Sequence, residues 1–230
     1  MTLQEAIKQR HSVRRYIHKP LSAEIIETLR KKIEECNAEG GLHIQLVTNE
    51  TRAFTGLFSY GKFSGVENYI VMVGKKADDL DERVGYYGEQ LVLLAQTLGL
   101  NTCWAGLSYR RVDEAYSVGD DEKLTCMIAL GYGATQGHKR KSKTAEQVSN
   151  ISSDSPEWFR NGVEAALLAP TAINQQKFSF TLLPNEQDTE DKPKVLAKRG
   201  FSMVGYTKMD IGIARLHFEI GAGKENFDWA

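Results

Sequence analysis

Cysteine is scarce in this 230-residue chain: Cys36, Cys103 and Cys126 are odd in number, widely spaced and form no CxxC pair. That excludes a disulfide framework and fits a reducing compartment, with all three thiols free. Long apolar runs are missing too, since none approaches the ~20 residues that span a bilayer. Met1-Thr2-Leu3-Gln4-Glu5 has no basic stretch leading into an apolar one, so neither a signal peptide nor a membrane anchor is expected, and the expected location is cytoplasmic. Net charge is nearly absent, with 29 Lys and Arg against 30 Asp and Glu for a formal charge of -1. No global field therefore draws in nucleic acid or an anionic membrane, and any anion site must be local. No GxGxxG follows a strand, which excludes a separate dinucleotide-binding domain.

What is present is an ordinary globular balance, 41% hydrophobic and 26% charged, long enough to bury most of its apolar surface. At ~150 residues per domain, one large domain or two small fused units are allowed, and a long repeat array is not. Thr2 with Glu5 resembles a capping box ahead of a short helix ending near Arg10. Ser22 can cap a second helix in which Ile25, Ile26, Leu29 and Ile33 recur at helical spacing until Glu39-Gly40-Gly41. Strands are expected at His43 to Thr48, Tyr69 to Gly74 and Thr125 to Leu130, with the strongest helix from Val84 to Leu98. Thr135 to Ser155 turns to Gly, Ser, Thr, Asn and clustered base, the composition of a long crossing segment. Beyond it, Ser155-Pro156 opens a helix with proline in the first helical place, Phe178 to Leu183 alternates like a strand, Asp188 to Lys192 is expected to be a solvated loop, and a last helix spans about Met209 to Ile220.

The two parts echo each other. Ser22-Ala23-Glu24 opens a helix leading to His43 through Glu50, and Ser155-Pro156-Glu157 opens one leading to Lys177 through Glu186. The helix around Gly88 with the later Trp104 is matched by the helix around Gly212 with the later Trp229. Two echoes in the same order suggest internal duplication. Coincidence between ordinary helix-strand units is the alternative.

Arg10, Ser12 and Arg14 follow the first helix, and in an extended segment side chains at i, i+2 and i+4 share a face. At ~3.3 Å per residue the outer two lie ~13 Å apart, which suits an elongated anion with acceptors along its length. A solvated basic turn is the plainer alternative. His138-Lys139-Arg140-Lys141-Ser142-Lys143 is a second cationic cluster, too short and too poor in aromatics for nucleic acid, and fits a phosphate contact or a solvated linker.

These segments together resemble the nitroreductase family. Arg10-His11-Ser12-Val13-Arg14 is similar to its N-terminal flavin-binding motif, Leu98 through Leu107 to its strand-end loop at the flavin, and Leu130-Gly131-Tyr132-Gly133 followed by Lys141-Ser142-Lys143 to its late phosphate-binding tail. Ala169-Pro170-Thr171-Ala172-Ile173-Asn174-Gln175-Gln176-Lys177-Phe178 resembles its A-P-S-x-x-N-x-Q-P-W segment. In typical members that segment follows the second helix, where this chain has Cys36-Asn37-Ala38-Glu39-Gly40-Gly41. The order resembles the fused branch of the family, in which one chain does the work of two subunits. The resemblance implies an α+β nitroreductase-like fold, a central mixed or antiparallel sheet flanked by helices, in two pseudo-symmetric halves. These are residues 1–150 with the crossing segment and the shorter 151–230, together one compact unit. A single composite site is then expected between an Arg-Ser-Arg grip from the first half and a Pro-Thr-Asn wall from the second.

The resemblance also implies the roles. FMN is the expected cofactor and NADH or NADPH the reductant, with a planar electron-poor acceptor such as a nitroaromatic or quinone and ping-pong turnover. Arg10 and Ser12 would hold the phosphate with Lys141 and Lys143, and His11 would contribute its backbone or pack on the ribityl chain. Arg14 would lie toward N1 and the C2 carbonyl, where a cation stabilises negative charge on the reduced ring. Ala105 and Gly106 fall where a backbone N–H meets flavin N5, and Trp104 would pack beside the ring. Pro170, Thr171 and Ala172 would line the cleft, with Asn174 and Gln176 supporting it or reaching the pyrimidine edge; Lys62 is a weaker candidate for that edge. No protein acid or base and no metal is required. Lys177-Phe178 replaces the family's Pro-Trp, and Ala105 replaces an acidic residue of many members, so acceptor choice is the least transferable property. A flavin store or redox sensor is the alternative, followed by a cofactor-free module whose basic linker binds an acidic partner. No nucleic-acid or membrane partner is expected, and internal pairing favours a monomer over a homodimer.

Overall fold

A computed structural model of the chain describes residues 1–56, 62–138, 140–184 and 192–230. It divides into two compact units, one made of Met1, Gln9–Leu80 and Tyr87–Lys139, the other of Thr2–Lys8, Asp81–Tyr86 and Arg140–Ala230.

In the first unit, helix α2 (Ala23–Gly40) begins at Ser22, whose Oγ accepts the Ile25 N–H at 3.3 Å, and ends at left-handed Gly41. It buries Leu29, Ile33 and Cys36, the stripe expected from its spacing. Strands β1 (Gln45–Val47), β2 (Asn68–Lys75), β3 (Asn101–Ala105) and β4 (Glu122–Gly131) form an antiparallel sheet in the order β1-β2-β4-β3. Asn68 through Gly74 are all buried, which explains the unbroken apolar run of β2. Pairing slips between Met72 and Val73, leaving Thr125 opposite no residue; its hydroxyl donates to the Met72 carbonyl at 3.0 Å. Helix α3 (Leu80–Thr97) enters this unit from Tyr87 onward. The core gathers Val13, Tyr16, Phe54, Phe63, Tyr69, Val71, Cys103 and Met127.

The second unit contains α1 (Leu3–Gln9) through Lys8, and Thr2 and Glu5 form the expected capping box, with Thr2 N–H donating to Glu5 Oε2 at 2.7 Å and Glu5 N–H to Thr2 Oγ1 at 3.2 Å. Helix α4 (Glu157–Leu167) has Pro156 as its cap rather than its first residue, because ψ of 148° keeps that proline extended. Strands β5 (Phe178–Leu182), β6 (Lys194–Arg199) and β7 (Asp228–Trp229) make a second sheet in that order, β5 antiparallel and β7 parallel to β6. Helix α5 (Thr207–Ala222) packs on α4, where Gly162 faces the Phe218 ring and Gly221 faces Ala165. Phe159, Phe180, Phe218, Phe227 and Trp229 fill the core in edge and stacked pairs.

From α2 and again from α4 the chain thus runs helix, antiparallel pair, helix, strand, with the first sheet holding β4 in addition. The crossing segment has little regular structure, a single 3-10 turn at Ala145–Gln147. Strand β6 was not expected, because Lys194-Val195-Leu196-Ala197-Lys198-Arg199 is half charged and only Val195 is fully buried. The stretch around Trp104, expected as a strand-end loop, is a strand as far as Ala105. Most of the Asp188 to Lys192 loop lies outside the described residues. Cys36, Cys103 and Cys126 are free and buried. No described helix is long and apolar enough to cross a membrane.

Candidate functional site

In the first unit the grip residues run alongside β3. Ser12 bridges Thr102 in parallel sense, and the Val13 N–H donates to the Thr102 carbonyl at 3.0 Å. Val13 turns into the core, while Ser12 is half-buried and Arg14 exposed. Burial pushes the Cys103 pKa up, and Arg14, a hydrogen bond with Ser12 and Arg10 each pull it down.

Arg10 sits deepest, only 7% exposed. Its Nε lies 3.8 Å from Oε1 of Glu89, a fully buried carboxylate on α3 whose Oε2 accepts the Trp104 indole N–H at 2.9 Å. The indole is thereby engaged in the unit's own packing, resting against Gly88. His11 Nδ1 lies 2.9 Å from the Gln9 carbonyl oxygen, and a Cβ at left-handed Gly137 would come within 2.5 Å of the His11 Cβ. Ala105 closes β3 in the core and Gly106 follows it half-buried. Lys62 is exposed.

In the second unit the expected wall is a tightly braced turn. Ile173, Asn174 and Gln176 have φ of 46°, 59° and 45°, a left-handed conformation that costs a non-glycine residue roughly 1–3 kcal/mol and persists only where the surroundings over-determine it. The surroundings do. Pro170 is buried, and the Gln176 N–H donates to Thr171 Oγ1 at 3.1 Å. The Gln176 side chain, 2% exposed, accepts the Lys143 N–H at 3.0 Å and donates to Ser142 Oγ and the Leu167 carbonyl. Asn174 Nδ2 donates to the Lys141 carbonyl at 2.7 Å, and the Lys143 ammonium donates to the Gln176 carbonyl at 2.5 Å. Burial, and then the neighbouring Lys177 charge, lower the Lys143 pKa.

A residue missed in the sequence completes this bracing. Asp210, in the first turn of α5, accepts the Ala172 N–H at 2.9 Å and the Gln175 amide at 2.6 Å. Burial raises its pKa to about 6 against those two bonds. Nothing in the local pattern distinguishes Asp210 from a helix-start carboxylate; only the spacing to Gln175 in space reveals it.

These two groups of side chains fit FMN as donors and acceptors. Arg10 Nε and Asn174 Oδ1 are both buried and lack a hydrogen-bond partner among the described residues, a cationic donor that suits a phosphate and an acceptor that suits a ring N–H. Asn174 and Gln176 spend most of their other capacity on supporting the turn.

A family model described as "Putative TM nitroreductase" matches residues 2–222. The chain belongs to this family. Among solved structures, a "putative nitroreductase" from Thermotoga maritima is 23% identical with a TM-score of 0.63, covering 98% of this chain and 85% of that one. A "putative nitroreductase in complex with FMN" from Desulfovibrio desulfuricans is 16% identical with a TM-score of 0.52, covering 68% and 99%. A "Putative NADH Oxidase" from Clostridium acetobutylicum is 17% identical with a TM-score of 0.50, covering 66% and 99%. No curated protein matches the chain. At these identities the likeness establishes the nitroreductase fold, an α+β arrangement with an antiparallel sheet and packed helices.

Proposed function

We propose that this nitroreductase-family chain is a cytoplasmic, monomeric FMN-dependent oxidoreductase that takes reducing equivalents from NADH or NADPH and passes them to a planar electron-poor acceptor by a ping-pong cycle. The observation that carries the reading is the pairing of Ser12 and Val13 with Thr102, which sets the Arg10-Ser12-Arg14 segment alongside the strand that ends at Ala105-Gly106. FMN, when bound, supplies the redox chemistry, accepting hydride at N5 and releasing it to the acceptor.

The protein's own part is to bind and orient. Arg10 and Ser12 hold the phosphate with Lys141 and Lys143, and His11 lines the ribityl path. Glu89 keeps the Arg10 guanidinium in place. Arg14 contributes positive charge toward the pyrimidine end. Gly106 presents backbone without a side chain, and Pro170, Thr171 and Ala172 form the wall, held by Asp210 and Gln176. Asn174 offers its unpaired Oδ1 to the ring edge. The two groups come from distant parts of the sequence, as an internal duplication that kept one set of binding residues from each copy would leave them.

Purified protein should be yellow or become so with excess FMN, bleach anaerobically with NADH or NADPH, and regain colour with a quinone. Flavin bands without bleaching would instead indicate a flavin store or redox sensor. Failure to take up FMN at all would discard both.

A further inference from the structure

Immediately beyond Gly106 the first unit opens into a groove of about 440 Å³, a size that suits a small molecule. Leu107, Tyr109, Val118 and Leu124 give it an apolar floor, and Lys76, Arg111 and Lys123 stand around it. Leu107 is 73% exposed, a large apolar side chain left open to solvent beside three cations. The lone carboxylate in the lining is Glu122, already engaged: its Oε2 accepts the Gly119 N–H at 2.7 Å and lies 2.9 Å from His43 Nδ1. The Lys76 ammonium donates to the Asp120 carbonyl at 2.9 Å, which uses one of its three N–H groups. Cations bordering apolar side chains in one groove match a flat apolar body that carries an acid group.

We propose that this groove binds the anionic end of an aromatic or quinoid acceptor, a carboxylate or phosphate held by Arg111 and Lys123 while the ring lies over Tyr109 and Leu107 toward Gly106. The inference rests on the reading of Gly106 as the edge of the flavin site, and it names acidic aromatics as the substrate class.

The test uses 4-nitrobenzoate against the neutral 4-nitrobenzyl alcohol with the full chain. In an Arg111→Gln/Lys123→Gln double variant, the ratio of kcat/KM for the acid to that for the alcohol should fall about tenfold, since each exposed charge contact is worth up to about 1 kcal/mol. Calorimetric titration of 4-nitrobenzoate without reductant should show a matching loss of affinity and a strong salt dependence in the parent protein. An unchanged ratio and unchanged affinity would overturn the groove. Charge-dependent binding by a protein that takes up no FMN would support the groove while refuting the flavin reading.

Discussion

The buried Arg10–Glu89–Trp104 cluster has consequences that can be measured one side chain at a time. Glu89 is fully buried, accepts the Trp104 indole N–H and forms an ion pair with Arg10 at 3.8 Å. Truncating it strands a guanidinium and an indole N–H in the interior, so Glu89→Ala should cost about 3–5 kcal/mol in a urea titration, because removing one partner of a buried pair leaves the other uncompensated. Glu89→Gln retains an acceptor for Trp104 and should lose clearly less. Equal losses would mean that the cavity, and not the charge, dominates. Asp210 makes a pH-dependent prediction. Its carboxyl has an ordinary value of 3.8 and about 6 when folded. Between those pH values the folded chain keeps a proton that the unfolded chain has released. The contribution to stability is therefore greatest at low pH and declines as pH rises through 6, by an amount on the order of 3 kcal/mol. Asp210→Asn removes that slope, so its stability relative to the parent should improve from pH 4.5 to 7 in denaturant titrations; a constant difference would show that the carboxyl titrates normally. The positions of these two acids explain what a sequence can reveal. Arg10, Ser12 and Arg14 stand out because a period of two is visible in the chain itself. Glu89 and Asp210 act through partners 79 and 38 residues away in sequence, Arg10 and Ala172, and nothing local to either helix marks them.

At the scale of elements, helical and strand periodicity located α2, α3, α4, α5, β2 and β4 because each turns an apolar face or an entire apolar run inward. It failed at β6, where charge at both ends of a six-residue segment hides a strand held mainly by pairing on both sides. Of the glycines at the α3–α5 crossing, Gly212 was legible only as part of an echo and Gly85 not at all, and their physical role is different. A Cβ on Gly212 would come within 2.0 Å of the Glu82 carbonyl oxygen, and one on Gly85 within 2.1 Å of the Met209 carbonyl oxygen. The obstacle in both cases is backbone, which cannot swing aside as a side chain can. Gly212→Ala and Gly85→Ala should each destabilise by about 3 kcal/mol or more, although alanine favours a helix over glycine by about 1 kcal/mol. Gly99 provides the control: it has φ of 77° with nothing within 4 Å of its would-be Cβ, so Gly99→Ala should cost only about 1–2 kcal/mol of left-handed strain. Thermal unfolding of the three variants ranks them directly, and a Gly99 variant as damaged as the other two would refute the steric account.

For the molecule as a whole, the described residues give the order helix, antiparallel pair, helix and strand twice, with β4 in addition the first time. Family membership was legible from four short segments spread over most of the chain, because each combines a backbone requirement with a polar one; the groove beyond Gly106 was not, because its lining is gathered from residues 76 to 124. The proposed roles make a prediction at two positions far apart in the sequence. Arg10→Ala removes a phosphate donor from one unit and should weaken FMN retention about tenfold or more, as losing a charge-assisted hydrogen bond of about 1.5–3 kcal/mol requires. Thr171→Trp changes no charge and lies in the other unit. If the Pro-Thr-Asn turn lines the cofactor, as proposed, this variant should weaken FMN binding comparably, and fluorescence titration of both variants would measure this. A Thr171→Trp protein that folds normally by circular dichroism and binds FMN as tightly as the parent would confine the cofactor to the first unit, and the Pro-Thr-Asn turn would then owe its strain to packing alone.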